Sequence, residues 1–196
     1  MSLVVKNHGG PGFVEGNAYQ YTFMVPHDEA GLVELFGSVQ AYSDQLAYVF
    51  DNQHFTLWNE PNMAYPYLLG IDPARRSKMQ TVLQQQRRDN FSNSADGIPG
   101  NDDAGVLSAW YVFSMLGFYP ANPASGDYRV GIPGFREVSL QLPASQSTLR
   151  ISTDFDIDTE HWDKLTLDDV ELKNLKISHA QLQSAKSLLF SNTKEQ

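Results

Sequence analysis

The chain has no cysteine. Disulfides, thiolate metal sites and cysteine nucleophiles are excluded, and with them any clue to redox compartment. Long apolar runs are missing too: nothing approaches the roughly 18 residues of a membrane-spanning helix, and no apolar signal-peptide core follows Met1. Positive charge is scarce. Fourteen Lys and Arg against 23 Asp and Glu leave a net charge of −9 over 196 residues, a surface that repels nucleic-acid phosphates. Neither nucleic acid nor membrane is expected as a partner. Met1-Ser2-Leu3 reads as a vector remnant, so the missing leader says little about a natural precursor. There is no Gly-x-x-x-x-Gly-Lys-Ser/Thr loop and no His-Glu-x-x-His. Ser108 lacks the Gly-x-Ser-x-Gly setting of a hydrolase nucleophile. The histidines His8, His27, His54, His161 and His179 are scattered.

What is present, 41% hydrophobic residues, suffices for a sizeable core in one or two domains. Up to about residue 122 the pattern is helical and punctuated by polar turns. His27-Asp28 open one helix that stops near Gly37, and Gln40 to about Asp51 forms a second. Met63–Leu69 is short and apolar. Pro73 opens a long segment to about Phe91, whose apolar positions Met79, Val82 and Leu83 leave a broad wet face. Asp103–Leu116 is the most apolar helix, ended by Gly117 and Pro120. From residue 123 the texture changes to short alternating runs. Tyr128–Ile132, Glu137–Leu142, Thr148–Ser152 and Lys164–Leu167 read as strands, with candidates at Leu172–Ile177 and Ser187–Phe190. The expectation is an α+β fold, a helical block at 1–122 and an antiparallel β-rich segment at 123–196. The tail Ser191–Gln196 should fray.

Three polar clusters stand out, each beside glycine or proline and each leading into a helix: Glu15-Gly16-Asn17-Ala18-Tyr19-Gln20-Tyr21, running on to Val25-Pro26-His27-Asp28; Trp58-Asn59-Glu60-Pro61; and Gly100-Asn101-Asp102-Asp103-Ala104-Gly105. Capping accounts for a single Asn or Asp at a helix start, and Glu60-Pro61 resembles an ordinary first turn. One cap does not use all the oxygens of Asn101, Asp102 and Asp103. Trp110, Tyr111 and Phe113 nearby would desolvate them, and crowded carboxylates raise one another's pKa. Glycoside hydrolysis needs two such groups, an acid and a base. Asn59 and Glu60 carry the hard oxygen donors that Ca²⁺ prefers. Tyr19, Tyr21, Trp58, Tyr65 and Tyr67 offer faces on which a sugar ring could pack. His27 serves as well for a cap as for a substrate contact. The acidic run Asp154–Asp158 lacks EF-hand spacing and reads as a solvated strand edge. On spacing alone, caps without catalysis remain an alternative.

In this order the clusters resemble glycoside hydrolase family 92, calcium-dependent exo-acting α-mannosidases. EGNAYQYTFMVPHDEAGL, WNEP and GIPGNDDAGVLSAWYVFSMLGFYP look like that family's successive blocks, and YRVGIPGFREVSLQL and ELKNLKISHAQLQSAKSLLF look like its closing strands. The resemblance implies the C-terminal portion of a larger periplasmic or secreted enzyme, with residues 1–122 forming part of an (α/α)6 barrel. It implies inverting hydrolysis of terminal α-linked mannose from glycans, most commonly α-1,2. Glu15 would be the general acid, Asp103 the general base and Asp102 or Asn101 its support, with Asn59 and Glu60 on the block that contributes calcium ligation and sugar contacts. Asn17, Tyr19, His27, Trp58 and Asn101 would contact the mannose-containing glycan. Where many α-1,2-specific members carry a histidine shortly before the NEP block, this chain reads Thr56-Leu57-Trp58. Without the N-terminal domain the isolated chain is expected to be inactive and to expose an apolar face open to self-association. A non-catalytic carbohydrate-binding or inactive paralogous module is the competing reading.

Overall fold

The computed structural model describes residues 12–143 and 145–193. His8 and residues 1–3 lie outside that range, as do the last three of the tail expected to fray. The helical block comprises α1 (Ala18–Tyr21), α2 (Glu29–Leu35), α3 (Val39–Asp51), α4 (Tyr65–Leu68), α5 (Arg76–Asn90) and α6 (Val106–Leu116). Polar caps start the helices, Asp28 where the sequence places it and Ser38 just ahead of the start expected near Gln40. Asp28 accepts from the Gly31 amide to begin α2, and Ser38 accepts from the Ala41 amide to begin α3. Gly117, at φ 89°, closes α6 in the left-handed conformation that glycine adopts without a Cβ penalty.

The β part begins earlier than the sequence pattern indicates. Strand β1 (Phe118–Asn122) pairs antiparallel with β2 (Asp127–Val130), which pairs with β7 (Lys176–Ser178). Pro120 reads as a helix stop and break, yet it sits inside β1. The register slips between Tyr119 and Asn122, and β1 is an edge strand, where a missing N–H is tolerated. The hairpin thus spans position 122/123.

The second sheet runs β3 (Glu137–Leu142), β4 (Ser147–Thr153), β8 (Ser187–Ser191), β5 (Lys164–Leu167) and β6 (Val170–Glu171). Its β4–β8 pair is parallel, a departure from the antiparallel expectation. A parallel neighbour requires a long crossover, and the chain supplies one through β5, β6, β7 and a capping-box helix, α7 (His179–Ser184), which periodicity did not reveal.

One core joins the two parts. From α5, Met79 and Leu83 are fully buried, and Val82 nearly so. Two polar side chains of the same helix are also buried. Gln80 exchanges both of its amide groups with the Trp162 backbone at 3.0 Å. Arg87 donates to the carbonyls of Ser114 (2.9 Å) and Ile132 (2.6 Å). Gly131 lies so near Tyr67 and Leu83 that an added Cβ would come within 2.8 Å of both side chains. These contacts lock the sheet to α5 and α6, and so fix the loop that precedes α6.

Candidate active site

The first cluster is built around a tight turn. Glu15 has a left-handed backbone, φ 51°. Gly16 has no room for a side chain, since a Cβ would stand 2.6 Å from the Tyr21 ring. Asn17 Oδ1 accepts from the amides of Tyr19 (2.9 Å) and Gln20 (3.3 Å), so its oxygen starts α1. The Glu15 side chain is exposed. Tyr19 stacks on His54 with ring centroids 3.9 Å apart and planes within 8°.

The second cluster is sewn to the first. Asn59, buried at 8% exposure, donates from Nδ2 to the Glu15 carbonyl at 2.7 Å, and its Oδ1 accepts from the Glu60 amide at 3.1 Å. Gln20 Nε2 donates to Thr56 Oγ1 at 2.6 Å. Tyr65, fully buried, donates to the Gln20 carbonyl (2.8 Å) and accepts from the Phe23 amide (2.9 Å). Its burial pushes the phenol pKa well above the usual range, so it serves as a fixed strut. Glu60 is exposed and borders an apolar cavity of about 220 Å³ that also takes in Phe23, Tyr42, Met63 and Tyr119.

The third cluster reaches the second through close backbone packing. A Cβ on Gly100 would fall 2.7 Å from the Trp58 carbonyl oxygen, so the loop passes directly over Trp58. Trp110 Nε1 donates to the Met63 carbonyl at 2.9 Å, tying α6 to the turn after Glu60. Asp103 (φ 32°), Ala104 (φ 59°) and Gly105 (φ 89°) are three successive left-handed residues. For non-glycine residues that conformation costs on the order of 1–3 kcal/mol each, and such strain gathers at functional sites.

The two adjacent aspartates have different fates. Asp102 accepts from the Ser108 amide (2.8 Å) and the Ser108 hydroxyl (2.7 Å). It thereby caps α6, whose N-cap residue Gly105 has no side chain to do so. The hydroxyl and amide of Ser108 hold the Asp102 carboxyl below the ordinary aspartate range. The rise expected from crowded carboxylates is not what Asp102 shows: the Ser108 bonds set the direction, downward. Nor do the aromatics desolvate the pair as expected: Trp110 is turned into the core against Phe91, and Asp103 is exposed. Asn101 is exposed beside it.

Sequence reasoning missed Ser108, noticed only as a poor nucleophile, although a hydroxyl in the first turn after an Asp-Asp pair is a capping signal. It also missed Gly100, whose need for a bare Cα shows only in three dimensions. His27 borders a separate hollow with Asp28, Asn122, Asp127 and Arg129. The acidic run at 154–158 is a turn after β4, and Asp154 and Asp156 each accept from a backbone amide.

The donors are the right kind for calcium but too few. Ca²⁺ takes about six to eight oxygens. Asn59 already uses its oxygen and its amide within the protein. Among the described residues no group of three or more His, Asp or Glu gathers as a metal cage.

Residues 3–194 match the glycosyl hydrolase family 92 catalytic domain, and the chain belongs to that family. It is 30% identical over 139 residues (70% of its own length) to a protein of Arthroderma benhamiae described as a secreted glycosidase. A family GH92 α-mannosidase of Bacteroides thetaiotaomicron superposes with a TM-score of 0.83 over 97% of this chain at 22% identity. A family GH92 inverting mannosidase of the same organism superposes with a TM-score of 0.77 over 91% at 27% identity. The chain spans 18% of the length of the A. benhamiae relative and 26% and 27% of the two solved chains.

Proposed function

We propose that this chain supplies the acid and base of a larger exo-acting α-mannosidase that removes terminal α-linked mannose from glycans, α-1,2 linkages foremost, with inversion. The observation that carries the reading is the stitching of three polar turns into one region, with Glu15 and Asp103 both exposed on left-handed backbone. An inverting family member among the solved relatives supports the stereochemistry.

In this reading Glu15 protonates the leaving oxygen while Asp103 removes a proton from the attacking water. Inversion places the two carboxyls roughly 6.5–9.5 Å apart, leaving room for that water. Asp102 is a positioning residue: its oxygens are engaged by Ser108, so the neighbouring carboxylate accepts the proton. Trp58, Tyr19, Asn17 and Asn101 form the glycan-facing rim, and His27 joins only if the rest of the protein extends the site towards α2. Calcium, gripping sugar hydroxyls, would take Glu60 as one donor and draw the others from the sugar and from segments beyond this chain. Asn59 holds the turn. Residues 1–122 then belong to an (α/α)6 barrel completed by preceding sequence, residues 123–196 close it, and the whole protein is secreted or periplasmic, as the A. benhamiae relative's description supports.

The test uses a longer protein containing this chain. Proton NMR of the first mannose released should show the β anomer, and a chelator should abolish release. Glu15→Gln should spare substrates whose leaving group needs no proton, such as mannosyl fluoride, while losing action on disaccharides. Release of the α anomer would contradict the mechanism.

A further inference from the structure

A third hollow, of about 330 Å³, lies where α5 meets the β part, and none of Glu15, Glu60 or Asp103 lines it. Its wall carries Arg76, Arg129, Lys173 and Lys176 against one carboxylate, Glu29. Four cations around one acid are unexpected in a chain of net charge −9. Glu29, Arg129 and Lys176 also border the neighbouring hollow that Asp28 and Asp127 line, so between the two Arg76 and Lys173 are the cations particular to this one.

Arg76 is the first residue of the 15-residue helix α5, where the helix dipole already places positive charge and basic residues are disfavoured. Its basic neighbours are neutralised, Arg75 by Asp44 and Lys78 by Asp51. Arg76 has no ion-pair partner among the described residues. Its guanidinium is held in place by a bond to the Asp163 carbonyl (3.2 Å) and by the Trp162 ring, 5.1 Å to the centroid. Its Nε is buried without a hydrogen-bond partner. Arg129, 8% exposed, is likewise fixed by Glu29, whose carboxylate is shared with Lys176 at 3.9 Å. Two immobilised guanidiniums and two lysines form a preorganised receptor for charge-assisted bonds to a tetrahedral oxyanion.

We propose that this hollow binds a phosphate- or sulfate-class oxyanion, free or esterified to a sugar. The test is calorimetric titration of the 196-residue chain with inorganic phosphate and, separately, with glucose 6-phosphate, at ionic strength held constant with chloride. Saturable binding is expected, weakened about tenfold or more by Arg76→Gln and by Lys173→Gln. Lys173 is exposed, so its substitution leaves the fold intact even if Arg76→Gln does not. Binding of phosphate alone assigns the site to the free ion, and comparable binding of the ester assigns it to a sugar-borne group. Absence of saturable binding by both, or unchanged affinity in Lys173→Gln, overturns the proposal.

Discussion

The side-chain amide of Asn59 donates to the main-chain carbonyl of Glu15 at 2.7 Å, across 44 residues of sequence. The bond holds the Glu15 turn in its left-handed form and makes a residue of the second cluster a strut for the first. Replacing Asn59 by Asp keeps an oxygen for the Glu60 amide but removes the donor. Asn59→Asp should cost about 1–3 kcal/mol of stability, measured by denaturant unfolding of this chain. Unfolding midpoints equal to wild type would show that the bond holds nothing.

Asp102 and Ser108 make a pH-dependent pair. The folded Asp102 pKa lies below its unfolded value, so its stabilisation is present above the ordinary aspartate range, near pH ~3.9, and is lost as pH falls through the lowered value. In Ser108→Ala the Asp102 carboxyl should titrate at higher pH, and acid unfolding should begin at higher pH. Carboxyl-carbon NMR of the two proteins reads both effects.

Gly100 lies over Trp58, and an added methyl would meet a main-chain oxygen that cannot swing away. Gly100→Ala should therefore destabilise by about 1–3 kcal/mol and perturb the environment of Trp58 in near-ultraviolet circular dichroism. Gly126, at φ 69° with open space around it, offers the comparison. Its replacement by Ala strains a turn locally and should leave the Trp58 signal unchanged.

Arg87 draws the carbonyls of Ser114 and Ile132 together inside the core. Burial lowers its pKa from the free value, yet the guanidinium keeps its donors. Arg87→Met retains volume and takes the donor from the Ile132 carbonyl, while the Ser114 carbonyl still accepts from the Gly117 amide at 3.1 Å. A loss of about 2–4 kcal/mol is expected in thermal or denaturant unfolding.

The helices were legible because their caps are local: Asp28 and Gly117 announce themselves in sequence. The strands were legible where one face is buried, as in β4 and β8. Three features escaped, two because they depend on partners distant in the chain and one because it depends on the shape of a local turn. Pro120 marks a break by its chemistry, yet an edge position lets it stay in β1. The parallel β4–β8 pairing follows from the crossover through α7, which local periodicity does not encode. Adjacent aspartates look equivalent in sequence, and only the fold of the α6 turn gives Asp102 to Ser108 and leaves Asp103 exposed. The convergence of the clusters through Asn59 and Gly100 was likewise invisible in the spacing.

The central claim is that Asp103, and not its neighbour, takes the proton from water. The direct measurement is the rate of mannose release by a longer protein containing this chain with Asp103→Asn, at substrate well above KM. The account predicts a fall in kcat of about 10²–10⁴-fold, the usual contribution of a general base, with the fold unchanged by circular dichroism. A kcat within a few-fold of wild type would contradict it.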